Sequence, residues 1–541
     1  MNRLKLHWGG GMIASGLACC SSLCGTAAAQ DNQKPNILLI VCEDISPYLR
    51  CYGDSVAVSP NLDSFAQGAI RHTNMYTCVG VSAPSRYSLI TGRYSSNDGA
   101  NFMRVDDFVS DYEAVPPAGV KCYTEYLREA GYYCTNNDKT DYQFNPPIAA
   151  WDEQGKDAHW RNAPQNQPFF SIFNIFVTHE SQVWRRTDMP LSVDPDEIIV
   201  PLYYPDTQIV RHDMAVMYSN VTEMDRQFQV LLDELESSGR ADNAIVIFYS
   251  DNGGPLPRGK REIMDSGSRV PFMIRLLDNK DAGSVNSELN MFVDIPATVL
   301  SLAGVEIPEN LHGVAMYGSQ RAVQPREYVF GATNRFDEQV EKRASIRNDR
   351  YQYIYNYMPE QSIYRPVEYR LDMPMMAEMV EMYRNGELSA VQSRWFDVAG
   401  CSEELYDCIE DPLQVNNLAS DKSYESVLEQ MRRAFQREWI EPYNSEWVEW
   451  NEDEFIAQRQ PEGVKQSVEP ILTKVEDNVV TVLNDPKINS ISFQICRDGE
   501  PLSTQYKLYS EPISLQSGES LVLLMERIGY ISATKKIENL K

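Results

Sequence analysis

The stretch Asn36-Ile37-Leu38-Leu39-Ile40-Val41-Cys42-Glu43-Asp44 is the best guide to the fold of this chain. Its first seven residues are uncharged and mostly apolar, and such a run predicts a strand that is buried on both faces. Three later runs have the same character: Phe169–Val177, Asn243–Ser250 and Val270–Leu277. Apolar residues between Met217 and Leu235 recur at alternating spacings of four and three, which predicts a helix before the third run.

Strands that alternate with helices predict an α/β domain with a mostly parallel sheet and helices on both faces. Ligands of such sheets bind at the carboxyl ends of the strands. The first strand ends in Glu43-Asp44, and the third ends in Asp251-Asn252-Gly253-Gly254. These residue types also end strands and form turns without any ligand. Two such clusters at equivalent strand ends nevertheless favour a site for a divalent cation, with Ca²⁺ first and Mg²⁺ second.

A second informative stretch is Ser82-Ala83-Pro84-Ser85-Arg86, which is followed by Thr91-Gly92-Arg93. The pentapeptide alone is also typical of a Ser-Pro loop that opens a helix. The longer match resembles the signature of the type I sulfatases, C/S-x-P-S-R followed by T-G-R. In that family the first residue of the signature is oxidised to formylglycine, which is the nucleophile. The resemblance therefore implies that a serine-type radical maturase converts Ser82 to formylglycine.

Further motifs match the same family in the same order along residues 34–440. The acidic pairs at the two strand ends match its metal ligands. The resemblance thus implies a cation site made of Glu43, Asp44, Asp251 and Asn252, together with residue 82. Glu43 departs from the aspartate that is usual there and lengthens one ligand arm.

The resemblance also assigns roles in catalysis. Arg86, Lys139 and Lys260 match residues that stabilise negative charge on the sulfate, and His179 matches a histidine that we expect to protonate the leaving group. The family has a histidine two residues after the matching lysine, and this chain has Asp141. Asp141 then either replaces that histidine as the base or only orients Lys139. The residues that we expect to contact substrate are Asp141, His72, Asn101 and Arg104.

The resemblance implies an alkaline-phosphatase-like catalytic domain over residues 30–325 and a smaller α+β subdomain over residues 326–463. Within the subdomain, residues 344–355 predict a hairpin, residues 403–407 match a family motif, and residues 424–439 predict a helix. Residues 464–541 contain short apolar segments between turns and predict a small β-sandwich. This module is either similar to the chitobiase-type C-terminal module or a generic appended β-domain.

The N-terminus has the pattern of a secretory signal peptide over residues 1–29. Arg3 and Lys5 precede a weakly apolar run, and Ala27-Ala28-Ala29 form the cleavage pattern. We expect a periplasmic or secreted protein. Lipoprotein anchoring at Cys19 is the second alternative, because the residues before it match a lipobox poorly. No later stretch approaches the ~20 apolar residues that a membrane span needs.

The net charge narrows the classes of molecule that this protein could bind. The 541 residues carry a net charge of −28, which argues against nucleic acid and anionic membranes as partners. A sulfated substrate would need a locally positive pocket in this negative protein.

Eight cysteines follow residue 29, too few for a disulfide scaffold. Whether Cys401 and Cys408 pair stays open at the sequence level.

Two loop stretches bear on the substrate. Gly99–Arg104 and Asn136–Tyr142 are similar to a bacterial branch near the heparan N-sulfatases. This similarity implies a sulfated glycan substrate, with an N-sulfo or O-sulfo group on an amino sugar or a glycosaminoglycan fragment.

Two alternatives to a sulfatase remain. One is a phosphohydrolase of the alkaline phosphatase superfamily, which the low total of six histidines disfavours. The other is a non-catalytic binder of sulfated glycans, if Ser82 is never oxidised.

Overall fold

The computed structural model describes residues 34–104, 112–443, 452–497 and 505–538. The predicted signal peptide and Cys19 lie outside the described residues. Among the helices that are described, none combines the length and the apolarity needed to cross a membrane.

The central sheet is built from the predicted strands. The first ten strands are β1 Asn36–Cys42, β2 Ile70–Tyr76, β3 Phe102–Met103, β4 Tyr133–Asn137, β5 Glu153–Gln154, β6 Phe169–Ile175, β7 Ala244–Ser250, β8 Arg269–Arg275, β9 Val285–Asn286 and β10 Asn290–Met291. All of them except β3 form one sheet, in the order β10-β2-β8-β7-β1-β6-β4-β5 with β9 paired to β2. Strand β8 is antiparallel to both neighbours, and the other pairs are parallel. The prediction of a mostly parallel sheet is confirmed.

Strand β1 is buried on both faces because its alternate side chains enter two different cores. Ile37, Leu39 and Val41 pack with helices on one face, and the residues between them pack with helices on the other. The helices of this part are α1 Pro60–Gln67, α2 Ser82–Thr91, α3 Tyr123–Glu129, α4 Ser181–Arg185, α5 Gln208–Ser237, α6 Asp265–Ser268 and α7 Asp294–Leu302. Helix α5 contains the predicted amphipathic segment. The Thr207 side chain accepts a hydrogen bond from the Val210 N–H and caps its first turn.

The sheet topology brings five loops to one edge. Strands β7, β1, β6 and β4 are parallel neighbours. Strand β2 runs in the same direction, because β8 is antiparallel to both β2 and β7. The carboxyl ends of all five strands therefore face the same way, and the segments that follow them carry most of the predicted site residues. Lys260 reaches this edge from the segment that leads into the reversed strand β8.

A second sheet combines four strands of the predicted C-terminal subdomain with β3 of the predicted catalytic domain. It has the order β14-β13-β12-β11-β3 and uses β11 Val329–Phe336, β12 Gln339–Arg347, β13 Tyr351–Asn356 and β14 Glu403–Asp407. The predicted hairpin is the antiparallel pair β12–β13. The remaining helices are α8 Pro374–Asn385, α9 Ala390–Ser393, α10 Glu425–Ala434, α11 Glu441–Tyr443 and α12 Glu452–Arg459, with a π-helical turn at Phe435–Ile440. Leu428 and Met431 of α10 pack on this sheet's core, so the predicted helix after residue 424 is confirmed.

The last strands form two small antiparallel sheets. They are β15 Thr473–Glu476, β16 Val479–Val482, β17 Ser490–Arg497, β18 Lys507–Leu508, β19 Ile513–Ser514, β20 Glu519–Glu526 and β21 Ala533–Ile537. The orders are β15-β16-β19 and β18-β17-β20-β21, and Val480 of one sheet shares a core with Leu521 and Leu523 of the other. Two sheets around one core fit the predicted sandwich. The boundaries at residues 326 and 464 stay predictions.

Cys401 and Cys408 are both free thiols, so the disulfide between them that the sequence left open is not present.

One buried and one partly buried carboxyl group, Glu125 and Glu526, lie where this last module contacts the catalytic α/β part. Glu526 of β20 accepts a hydrogen bond from the Ile148 N–H at 2.9 Å, and Glu125 of α3 accepts one from the Ser490 hydroxyl. Burial raises the pKa of Glu526 to about 7, and the nearby Glu125 adds to the rise. Burial also raises the pKa of Glu125, against the opposing charge of Lys121.

We therefore expect the contribution of Glu526 to stability to fall as the pH rises from 5 to 8. An unfolded Glu526 ionises near its ordinary pKa and a folded one only near 7, so the unfolded state gains relative stability across this window. Glu526→Gln keeps an acceptor for Ile148 and carries no charge. It should stabilise the protein by about 2 kcal/mol at pH 8 and change little at pH 5, measured by urea unfolding. The exposed Glu511→Gln is the control, and equal effects of Glu526→Gln at both pH values would contradict this assignment.

Candidate active site

Ser82 is the first residue of α2, and only 1% of it is exposed. Its hydroxyl oxygen lies 3.2 Å from Asn252 Oδ1 and 3.4 Å from Glu43 Oε2. Helix α2 is buried along its whole length and ends at Gly92, which adopts the left-handed conformation with φ of 68°. A side chain at Gly92 would collide with Leu311. The first half of the signature thus presents Ser82 to the site, and the Gly92 turn ends the helix.

Arg93, the last residue of the signature, has a structural partner. Its guanidinium donates to both carboxylate oxygens of Asp98, at 2.7 Å and 3.0 Å, and to the Asn310 carbonyl. The Tyr87 hydroxyl also donates to Asp98. These contacts fix the turn after α2 and do not involve the acidic groups at the sheet edge.

Three fully buried carboxylates converge in front of Ser82. Glu43, Asp44 and Asp251 each offer an oxygen within 4.8 Å of the others. Asn252 Nδ2 donates to Asp44 Oδ1 at 2.9 Å, which leaves the amide oxygen of Asn252 facing Ser82. Carboxylate and amide oxygens in this number are the donor set that Ca²⁺ and Mg²⁺ prefer. These residues fit the predicted cation.

Three cationic side chains are held against these carboxylates. Arg86 donates to Glu43 Oε1 at 2.6 Å and to Asp251 Oδ2 at 3.0 Å. Lys139 Nζ donates to Glu43 Oε2 at 2.5 Å, and Lys260 Nζ donates to Asp44 Oδ2 at 2.6 Å. The three carboxylates and the three cationic side chains together have a net charge of zero. A divalent cation bound among them would make the net charge of the centre positive, as the binding of an anionic substrate requires.

The pKa values in the centre follow from these contacts. Burial alone would raise the pKa of Glu43, but Lys139 and Arg86 outweigh burial and hold that pKa well below its ordinary value. Burial and the charge of Glu43 raise the pKa of Asp251 to about 6, against the opposing effect of Arg86. Burial lowers the pKa of Lys260, yet Asp44 and Glu180 more than compensate and raise it.

His179 follows β6 and borders the same centre. Its Nε2 lies 3.3 Å from Lys260 Nζ and 4.0 Å from Asp44 Oδ2. The Ser181 N–H donates to Nδ1 at 3.2 Å, and the ammonium of Lys260, which can only donate, faces Nε2. Burial and the charge of Lys260 lower the pKa of His179 to about 4.

Asp141 lies beside Lys139 and is tied to Arg104. Arg104 donates to its two oxygens at 2.9 Å and 3.3 Å, and Lys139 Nζ is 3.6 Å away. Burial would raise the pKa of Asp141, but Lys139 and Arg104 outweigh it and lower that pKa. A carboxylate that is paired twice is a weak base. Of the two alternatives for Asp141, the geometry favours the orienting role toward Lys139.

Two of the predicted substrate contacts do not join the site. His72 is fully buried, and both of its ring nitrogens are paired, with Asn290 Oδ1 at 2.9 Å and with the Tyr317 hydroxyl at 2.8 Å. The prediction for His72 was wrong, because its side chain points from β2 into the core. Asn101 is also fully buried, and within the described residues no hydrogen bond links its amide to the site residues.

The structure adds Glu180 and Asn174, which sequence reasoning missed. The Glu180 N–H donates to Asp44 Oδ2 at 2.6 Å, and its carboxylate accepts from Arg261 at 2.8 Å and 3.0 Å. Asn174 Oδ1 accepts from Arg86 Nη1 at 2.7 Å. Both residues orient groups that touch the centre. Glu180 directly follows His179 in the sequence, but its role depends on partners that are distant along the chain.

Fold and site together define a class of hydrolases. A hydroxyl-bearing residue at a helix N-terminus faces an oxygen-ligand cation site, and lysine and arginine side chains surround it at the edge of a mostly parallel sheet. Such an arrangement suits the cleavage of a negatively charged ester or amide of an inorganic acid.

Comparison with known proteins identifies the family. The sulfatase family model matches residues 35–157 and 155–305, and the model named N-sulphoglucosamine sulphohydrolase, C-terminal, matches residues 258–397. An ulvan-active sulfatase of Formosa agariphila is 36% identical over 539 residues, which cover 92% of this chain and 90% of the relative. This chain belongs to the sulfatase family and is a sulfuric ester hydrolase.

Two further comparisons agree with this assignment. N-sulphoglucosamine sulphohydrolase of Homo sapiens is 24% identical over 470 residues, with 77% of this chain and 91% of the relative covered. A solved structure described as a 2-O GAG sulfatase has a TM-score of 0.57 at 18% identity, and the match covers 77% of this chain and 94% of the other. The predicted alkaline-phosphatase-like fold and the resemblance to sulfatases near the heparan N-sulfatases are confirmed.

Proposed function

We propose that this protein is an exported sulfatase that removes sulfate from a sulfated glycan with a formylglycine made from Ser82. The arrangement around Ser82 supports this proposal most directly. Its hydroxyl lies 3.2 Å from Asn252 Oδ1 and 3.4 Å from Glu43 Oε2, next to the other two buried carboxylates. The signal-peptide pattern of residues 1–29 supports a periplasmic or secreted location.

The maturation of Ser82 is an oxidation of an alcohol to an aldehyde. The side chain loses two hydrogens, and a serine-type radical maturase takes up the two electrons and two protons. The hydrated aldehyde supplies a nucleophilic hydroxyl for attack on sulfur. Ser82 itself is 1% exposed, so we expect oxidation before the chain has fully folded.

Glu43, Asp44, Asp251 and Asn252 would hold the divalent cation, with Ca²⁺ as the first candidate. The bound cation would polarise a sulfate oxygen and lower the pKa of the attacking hydroxyl. Arg86 keeps Glu43 and Asp251 ionised and oriented, because it donates to both. In this role Arg86 is a positioning residue for two of the cation's ligands.

Lys139 and Lys260 would stabilise negative charge on the oxygens of sulfate. Each lysine is held by one carboxylate of the centre, at 2.5 Å and 2.6 Å, so its position is set before substrate binds. Asp141, which accepts from Arg104, also contacts Lys139. Side-chain exposure rises from Glu43, which is fully buried, through Lys139 at 20% to Arg104 at 33%, so this side of the centre extends toward solvent.

His179 would protonate the leaving group from Nε2. Without substrate the ring is neutral near pH 7, because its pKa is about 4, and the negative charge of a bound sulfate group would raise that pKa and favour the protonated ring. Nε2 and Lys260 Nζ lie 3.3 Å apart, an arrangement that suits one acceptor atom in contact with both. The bridging oxygen of a sulfate ester, or the nitrogen of a sulfamate, is such an acceptor once its bond to sulfur weakens. Ser181 holds the ring by its N–H at 3.2 Å and its hydroxyl at 2.9 Å.

The substrate class is a sulfated glycan. The names of the relatives include ulvan-active sulfatase and N-sulphoglucosamine sulphohydrolase, and both describe enzymes of sulfated saccharides. We propose an N-sulfo or O-sulfo group of an amino sugar or glycosaminoglycan fragment as the first candidate, and an ulvan oligosaccharide as the second.

The maturation step is tested by mass spectrometry of the tryptic peptide that follows Arg71 and ends at Arg86. Protein made in a host with a serine-type maturase should show the loss of two hydrogens at Ser82. The same protein should release sulfate from at least one defined saccharide and no phosphate from the phosphorylated analogue. Unmodified Ser82 in protein that releases sulfate would refute the formylglycine mechanism, and phosphate release alone would favour the phosphohydrolase alternative.

A further inference from the structure

Two exposed aromatic side chains contact the segment from His179 to Trp184. Among the Phe, Tyr and Trp residues that the structure describes, only Phe176 and Tyr369 are exposed, at 48% and 37%. Phe176 follows β6, and Tyr369 comes from the predicted C-terminal subdomain, almost two hundred residues later in the chain. Exposed apolar side chains that gather beside a polar site indicate a binding surface.

The ring of Phe176 stacks on the imidazole of His179 and is exposed to solvent. The two rings are stacked with their centroids 4.8 Å apart and their planes 15° apart. His179 therefore covers one face of Phe176, and 48% of the phenylalanine stays open to solvent. A molecule whose leaving atom reaches His179 Nε2 would have its next atoms close to this ring.

Tyr369 contacts the same segment from the predicted C-terminal subdomain. The Ser181 side chain, which contacts His179 Nδ1 at 2.9 Å, limits the rise that burial causes in the pKa of Tyr369. Trp184 packs edge-on against Tyr369, with centroids 5.0 Å apart and an angle of 75°. Arg370, the next residue, is buried and lies 3.7 Å from Glu180 Oε1, which anchors the backbone at this point.

We propose that Phe176 and Tyr369, with Trp184 behind Tyr369, form an aromatic platform that binds the sugar ring carrying the sulfate. The proposal rests on the proposed function. A pyranose ring has polar edges and apolar C–H faces. The polar edge with the sulfate must approach Lys260 and His179, and the apolar face then meets an aromatic surface whose position is already fixed. The platform thus selects a cyclic sugar over a small acyclic sulfate ester.

The test is steady-state desulfation by the mature enzyme of the best saccharide from a defined panel. Phe176→Ala and Tyr369→Ala should each raise KM about 5- to 10-fold and change kcat less than 3-fold. Phe176→Trp should restore KM. Inhibition by inorganic sulfate, which needs no sugar ring, should be unchanged. Leu202→Ala removes a 66% exposed side chain elsewhere and is the matched control.

A second measurement separates this proposal from the proposed function. Saccharide binding to Ser82→Ala protein, by calorimetry, should weaken by the same factor when Phe176→Ala is added. A wild-type enzyme that desulfates no saccharide would refute the proposed function, while the binding result would still report on the platform. Unchanged KM and unchanged saccharide affinity in both alanine variants would overturn the platform.

Discussion

Replacing Ser82 with alanine is expected to lower sulfate release by about 10⁴-fold or more while the protein stays folded. The substitution removes the atom from which the nucleophile is made, and no neighbouring hydroxyl can replace it. The Ser85 hydroxyl donates to the Asp251 carbonyl at 2.5 Å and accepts from Thr77, so it faces away from the carboxylate oxygens. Turnover should be measured as sulfate released from the best saccharide.

The fold should survive, because the contacts that Ser82→Ala removes are weak. The Ser82 hydroxyl makes two long hydrogen bonds, at 3.2 Å and 3.4 Å, and their loss costs about 1 kcal/mol or less. Ser88→Ala is the matched control, since Ser88 is equally buried in the same helix and should keep activity. Ser82→Cys adds a second test, because the family signature accepts cysteine. Sulfate release by folded Ser82→Ala protein within 10-fold of wild type would contradict the assignment.

The central sheet and the convergence of the acidic residues at its edge could be predicted because they depend on local patterns. A strand buried on both faces needs a continuous apolar run, and β1, β6 and β7 each have one. Parallel neighbours end at the same edge, so the polar residues after two such strands must meet. Glu43 and Asp251 therefore lie together, although 208 positions separate them along the sequence.

The errors and omissions concern side-chain direction and distant partners. His72 stands in a strand where alternate residues enter the core, and only its pairing with Asn290 and Tyr317 shows which face it is on. The apolar run of β8 does not show that this strand is reversed. Tyr369 lies in a segment without regular periodicity, and its position beside Trp184 depends on the packing of the subdomain. Such features follow from tertiary contacts that no local pattern encodes.

Removing the divalent cation is expected to abolish activity and to lower thermal stability. The oxygens of Glu43, Asp44 and Asp251 lie within 4.8 Å of one another, and all three residues are fully buried. Arg86 and Lys139 contact the two oxygens of Glu43, whereas Asp44 and Asp251 each have one oxygen in contact with Lys260 or Arg86. A cation that binds the folded state at 100 times its Kd would add about 2.7 kcal/mol of stability. Ca²⁺ should therefore raise the Tm of chelator-treated protein by several degrees and restore sulfate release, and Mg²⁺ should do so less effectively.

The Asp251→Asn variant tests whether this carboxylate is one of the ligands responsible for the rise of Tm with Ca²⁺. The amide keeps the size of the side chain and an acceptor for Arg86 Nε, which lies 3.0 Å from Asp251 Oδ2, but it removes one of the three negative charges. The rise of Tm with Ca²⁺ should then disappear, and sulfate release should fall about 10³-fold. Asp206→Asn, which breaks a surface ion pair with Arg211, should retain the full response. A Ca²⁺-dependent Tm that persists in Asp251→Asn would place the cation elsewhere, because a site with two carboxylates facing three cationic side chains has lost its attraction for a divalent ion.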